Sequence, residues 1–245
     1  MKLCMKTWAK FLPEYEIIVV DYSNLKEYIG DFYDESLYSN FSLPKQADAI
    51  RAALLSKYGG VWFDADTIVT SEKINEILDT DSEFVIVSMH IGFLCAKKGG
   101  EVISTWAAEA QKRVLAYKAA KERDDKKALE AMNVYYYLGN GCFNIAKFIS
   151  QNRADKAVCI DRMAHFIVPE ANYFAQKRDG VSEYVNFYFR DDKMELLRQS
   201  KYMIMLHNSW TPATFKAMSE AEFLNSGCVL ARLLKEILCG DEKIL

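Results

Sequence analysis

Asp64 and Asp66 stand one residue apart in SKYGGVWFDADTIVT, residues 56–70. In extended backbone, residues i and i+2 point to the same side, so the two carboxylates would share a face. Such a pair offers hard oxygen ligands suited to Mg²⁺ or Mn²⁺. Two carboxylates do not close a cage, which suits a cation completed by substrate phosphates. The competing reading is an acidic strand end in water. The Gly59–Gly60 pair and the Val61–Trp62–Phe63 run before the acids favour the metal.

Other groups could join them. Asp48 and Arg51 lie three apart on one helical face. Alone they read as a surface ion pair worth about 0–1 kcal/mol, although Leu55 on the same face argues for partial burial, with a bidentate grip on phosphate or a sugar hydroxyl as the alternative. His207, Asn208, Ser209 and Trp210 follow an apolar run. His207 could ligate a metal, with Asn208 or Ser209 adding an oxygen. A hydrogen-bonded histidine beside a core Trp210 is the plainer reading of that stretch. In LGNGCF (138–143), Gly139 and Gly141 flank Asn140 and suit a tight turn or a close backbone approach to a ligand. His90 and His165 read as structural.

These residues need elements to hold them. EIIVVD (16–21) reads as a buried parallel strand ending in Asp21. LPKQADAIRAALLSKYGG (43–60) reads as a helix opened by Pro44 and stopped by Gly59. VWF and TIV are short strands, SEKINEIL (71–78) a capped helix, and EFVIVSM (83–89) and GFLCAKK (92–98) strands. Residues 99–137, rich in Ala, Lys and Glu, read as a helical insertion. AVCI, HFIVP and KYMIM read as strands, and a last helix runs near 219–238. The alternation predicts an α/β fold, a mixed sheet flanked by helices. Ligands gather at strand carboxyl ends in such sheets, where Asp21, Asp64, Asp66 and His207 would face one crevice.

The chain of 245 residues is 51% hydrophobic and 27% charged, an ordinary globular composition. A net charge of −3 offers no basic field for nucleic acid. Six cysteines without a CxxC pair read as reduced core thiols of a cytoplasmic protein. No apolar run reaches the ~20 residues of a membrane span, so any membrane contact would be peripheral, at the inner face. The polar start is unlike a signal peptide.

Together the motifs resemble a GT-A glycosyltransferase. The closest likeness is to the DXD sugar-binding family (glycosyltransferase family 32), which holds the yeast-type initiating mannosyltransferases and bacterial capsular polysaccharide glycosyltransferases. The likeness centres on ADAIRAALLSKYGGVWFDADTIV, residues 47–69, with Asp48, Arg51, Tyr58-Gly59-Gly60, Val61-Trp62-Phe63 and Asp64-Ala65-Asp66 in the family's order. Weaker echoes are GFLCAKKG, LGNGCF, IVPEANYFAQ and MLHNSW.

The resemblance implies a GT-A-like, Rossmann-like single domain over 1–245. It implies a retaining, Mn²⁺- or Mg²⁺-dependent transfer from a nucleotide-sugar donor, with UDP-sugars ahead of GDP-mannose. The acceptor would be a glycan or a lipid-linked precursor in surface polysaccharide synthesis. Asp66 would bind the metal, Asp64 would hold ribose or sugar hydroxyls and support the metal, and His207 would be a further ligand. Asp48 and Arg51 would grip the donor sugar, with Arg51 nearing the diphosphate. Trp62 and Ala65 would line the donor, and Ser209 and Trp210 would meet the β-phosphate. Family members usually open with one more strand, of the type Ile-Pro-Lys-Ile-Ile-His, which this chain is expected to lack. Two rival readings are a haloacid-dehalogenase-type phosphatase with Asp64 as nucleophile and an inactive sugar-nucleotide-binding protein.

Overall fold

The computed structural model describes residues 1–87, 90–134, 137–139, 157–160 and 180–240. In chain order the helices are α1 (Lys2–Phe11), α2 (Leu25–Ile29), α3 (Glu35–Asn40), α4 (Leu43–Tyr58), α5 (Asn75–Leu78), α6 (Glu101–Glu122) and α7 (Lys126–Met132). Then come α8 (Gly180–Val185), a π-helix (Asn186–Arg190), α9 (Met194–Leu197), α10 (Ala213–Lys216), α11 (Glu220–Asn225) and α12 (Val229–Cys239). The strands are β1 (Gly60–Phe63), β2 (Thr67–Val69), β3 (Phe84–Val87), β4 (His90–Ala96), β5 (Ala157–Ile160) and β6 (Met203–Met205). The fold is mixed α/β, with one four-stranded sheet in the order β1-β4-β3-β5 and one two-stranded sheet, β2-β6.

The chain forms two compact units. Residues Ile18–Trp62 and Thr80–Ile160 make one of them. Its sheet is mixed, because β3 runs antiparallel to β4 and parallel to β5. α4 begins at Pro44 and stops at Gly59, as its sequence predicts. It is buried almost all round, with Ala49, Ala52, Ala53, Leu54 and Leu55 in the core. A helix so enclosed has no outer face on which to leave Asp48 or Arg51. α6 packs against α4 and sends Val102, Ile103, Trp106, Ala107, Ala110 and Val114 into the same core. The Ala-, Lys- and Glu-rich stretch is thus a core helix with a solvated face, not an appended insertion. The turn from α4 into β1 depends on Gly59, which sits at φ +72°. A Cβ there would come 2.6 Å from the Lys98 backbone nitrogen. Both the left-handed backbone and the approach of β4 require glycine.

Residues Met1–Ile17, Phe63–Asp79 and Asp161–Leu245 make the other unit. β2 and β6 pair antiparallel, with Thr67 opposite Met205 and Val69 opposite Met203. α1 lies along β2 and bonds to it through two side chains. The Trp8 indole N–H donates to the Thr67 carbonyl (2.7 Å), and the Val69 N–H donates to Thr7 Oγ1 (3.0 Å). α12 supplies Val229, Leu230, Leu233 and Leu234 to this core at helical spacing. Thr67 Oγ1 is buried with no hydrogen-bond partner. An unmade bond of this kind costs about 1–3 kcal/mol. Thr67→Val keeps the shape and removes the hydroxyl, so the urea midpoint is expected to rise by an amount equal to about 1 kcal/mol. A fall would mean that the hydroxyl is satisfied.

Several expectations are corrected. EIIVVD forms no strand, and Ile18 and Val19 are 48% and 55% exposed. A β-branched run needs a partner ladder, and no described strand pairs with it. Asp21 does not end a strand. It builds a turn, accepting from the Ser23 N–H (2.7 Å) and hydroxyl (2.5 Å), which holds its carboxyl below the usual range. SEKINEIL starts as a 3₁₀ turn, Glu72–Ile74, and continues as α5. Ser71 does not cap it, because its hydroxyl donates to the Lys201 carbonyl (2.6 Å). The last helix is two, α11 and α12, divided at Gly227 with φ +73°. Cys4 and Cys228 are buried, Cys95 is half-buried and Cys239 is exposed. Burial pushes the Cys4 and Cys95 thiols up to about 11. Asn140, Gly141, His165, HFIVP and IVPEANYFAQ lie outside the described residues, as does the His90 side chain.

Candidate functional site

The acid pair and the His207 segment meet within one unit, at the corner where β2 begins and β6 ends. A turn joins Asp64 to β2, closed by the Thr67 N–H donating to the Asp64 carbonyl (2.9 Å). The register of the two strands then brings Asp66 beside the chain leaving β6. The Leu206 N–H donates to the Asp66 carbonyl (3.2 Å), and the Asn208 N–H donates to Asp66 Oδ2 (2.8 Å). Asn208 therefore serves through its backbone and not through the side-chain oxygen considered from sequence.

Burial holds the Asp66 carboxyl above its ordinary value. The Asn208 hydrogen bond opposes that shift, the negative charge of Asp64 adds to it, and His207 lowers it. Asp64 and His207 thus both act electrostatically on Asp66. Ala65, Asn208 and Ser209 are exposed, while Asp64, Asp66, His207 and Trp210 are half-buried. The His207 and Trp210 rings lie 4.5 Å apart. The chain turns tightly after His207, whose carbonyl accepts from the N–H groups of Trp210 (3.0 Å) and Thr211 (3.1 Å).

Asp48, Arg51 and Trp62 belong to the other unit. Asp48 and Arg51 are 7% and 4% exposed and 3.3 Å apart, so the surface-pair expectation is overturned. Arg51 Nη1 donates to the Ile91 carbonyl, Nε donates to the Ala47 carbonyl (3.3 Å), and the guanidinium lies 5.1 Å over the Trp62 ring. Gly139 accounts for part of LGNGCF: a Cβ on it would collide with the Asp48 carboxylate. The approach made there is to this carboxylate and not to the ligand weighed from sequence.

Sequence reasoning did not single out Tyr184, which is buried beneath the His207 turn. The aromatic run YVNFYF was the available signal, but such a run reads first as core.

The chemistry of the donor set decides whether a cation fits. Among the described residues, no group of three or more His, Cys, Asp or Glu could hold a metal ion. A closed protein cage is therefore not present among them. Asp64 and Asp66 fit an open site, in which one or two carboxylates hold a cation that substrate phosphates complete. The mutual repulsion that helps raise the Asp66 carboxyl is what a cation would relieve.

Fold and site define a mixed α/β protein with an acid pair at a strand corner, braced by a turn from a second strand. Residues 1–123, half of the chain, match the capsular polysaccharide synthesis protein family, and the chain belongs to that family. Membership places it in surface polysaccharide synthesis and points to a glycosyltransferase. The matched region contains Asp48, Arg51, Asp64 and Asp66, whereas His207–Trp210 lies beyond it. No curated protein and no solved structure matches the chain. No described helix is long and apolar enough to cross a membrane.

Proposed function

We propose that this protein is a metal-dependent, retaining glycosyltransferase of the DXD type with a GT-A-like core. It moves a sugar from a nucleotide-sugar donor, a UDP-sugar before GDP-mannose, to a glycan or lipid-linked acceptor. One observation carries the reading: burial and the charge of Asp64 hold the Asp66 carboxyl above its ordinary value, while the Asn208 N–H donates to it.

A divalent cation bound there supplies Lewis-acid stabilisation of the diphosphate as its charge grows. The chain's own residues do the rest. Asp66 is held through Oδ2 by the Asn208 N–H and binds the cation. Asp64 and Asp66 sit on a turn and not on the extended backbone expected from sequence, and from that turn Asp64 orders ribose or sugar hydroxyls. His207 completes the polar corner, and the exposed Ser209 hydroxyl with Trp210 meets the β-phosphate. Electrostatic preorganisation of this kind is commonly the largest part of catalysis where charge develops on a leaving group.

The test is a thermal-melting screen of sugar nucleotides with and without Mn²⁺. A donor that binds the native state at a hundredfold excess over Kd stabilises it by about 2.7 kcal/mol. A shift that requires both donor and Mn²⁺ is expected. Melting indifferent to every nucleotide would overturn the reading.

A further inference from the structure

GVSEYVNFYF, residues 180–189, forms α8 and runs into the π-helix. Wide π turns are rare and often sit at functional sites. Here Tyr184 and Tyr188 are both fully buried, with ring centroids 4.9 Å apart. Most of the run does ordinary packing; Phe189, for example, lies 4.6 Å from Phe215.

Tyr184 does something more. Its Oη accepts from the His207 N–H (3.2 Å) and lies 3.1 Å from Thr211 Oγ1. Its ring meets His207 at 6.1 Å and Trp210 at 5.8 Å, both edge-on. Thr211 Oγ1 donates in turn to the His207 carbonyl (3.2 Å). One buried side chain therefore grips both ends of the turn 207–211, and that turn carries the N–H that engages Asp66. A phenol hydroxyl placed in an aromatic core costs free energy unless it is bonded. This one is bonded to the turn.

We propose that Tyr184 is a positioning residue for the diphosphate-binding corner. It fixes the His207–Thr211 turn, and through the Asn208 N–H it orients Asp66, so that it sets affinity for a nucleoside diphosphate. It acts through other residues and touches no reacting atom. The inference rests on the function proposed above.

Tyr184→Phe keeps the ring and deletes only the hydroxyl. Supporting groups of this kind commonly change affinity by about 10–100-fold. The Kd for UDP in the presence of Mn²⁺, read by calorimetry, is expected to weaken about tenfold, with donor KM rising alike. The kcat should stay within about threefold, and the Asn208 amide should exchange faster with solvent. Thr211→Val, which removes the second contact, should move Kd in the same direction by less, and it carries the test if Tyr184→Phe fails to fold.

Unchanged Kd and KM with a lowered melting temperature would make Tyr184 a packing residue and overturn the proposal. If the wild type binds UDP with Mn²⁺, Asp66→Asn abolishes binding and Tyr184→Phe does not weaken it, this inference alone falls. If the wild type binds neither, both this inference and the function fall.

Discussion

Asp66→Asn is expected to abolish Mn²⁺-dependent hydrolysis and transfer of the donor sugar while making the free protein more stable. The activity loss should be about a thousandfold or more, equal to about 4 kcal/mol at the transition state. The amide has no charge for a cation, yet its oxygen can still accept from the Asn208 N–H, so the corner keeps its shape. Stability should rise because the native Asp66 carboxyl is disfavoured by burial and by Asp64. The sign follows from linkage. The folded carboxyl titrates above the unfolded one, so the cost of its ionisation builds as pH rises past the unfolded value and is full above the folded one. The variant's advantage should be full at neutral pH. It should vanish as pH falls through the ordinary aspartate value of 3.8. Melting temperatures at neutral and acidic pH, beside donor-hydrolysis rates, check both parts. Wild-type turnover by Asp66→Asn would remove Asp66 from the site.

Arg51→Ala should cost about 3–5 kcal/mol of stability, the range for breaking a buried ion pair and stranding one partner. It removes the guanidinium from beside the buried Asp48 carboxylate, takes a donor from the Ile91 carbonyl and uncovers the Trp62 face. Replacing both charges, as in Asp48→Asn with Arg51→Met, should recover much of the loss, because the stranded charge is then gone. Urea unfolding of the two variants measures this. A loss under about 1 kcal/mol for Arg51→Ala would return the pair to the surface class read from sequence.

The sequence was most legible where local chemistry dictates structure. Pro44 and Gly59 set the limits of α4, and the two apolar triplets beside the acids became β1 and β2. β3, β4 and β6 likewise follow from short apolar runs. The failures share a cause. EIIVVD has strand composition, but strand formation is settled by partners elsewhere in the chain. Asp48 and Arg51 look like a surface pair at spacing i, i+3, and only the packing of α6 and β4 around α4 shows them buried. Ser71 has the chemistry of a cap, but the Lys201 carbonyl claims its hydroxyl.

The candidate site shows the same division. Asp64, Asp66 and His207 were legible by residue type and by position beside apolar strands. Their meeting depends on the antiparallel register of β2 and β6, which no local pattern specifies. The role of the Asn208 backbone N–H was invisible for that reason, and Tyr184 was hidden in an aromatic run that reads first as core. The family match covers the acid pair and ends well before His207, so the second half of the corner rests on geometry.

Calorimetric titration of Mn²⁺ into the wild type and into Asp66→Asn, each with and without UDP, tests the central claim most directly. The wild type should bind Mn²⁺ weakly alone and at least tenfold more tightly with UDP, since the phosphates complete the coordination of an open carboxylate site. Asp66→Asn should show no such coupling. Equal Mn²⁺ binding by the two proteins, with UDP making no difference to either, would contradict the account.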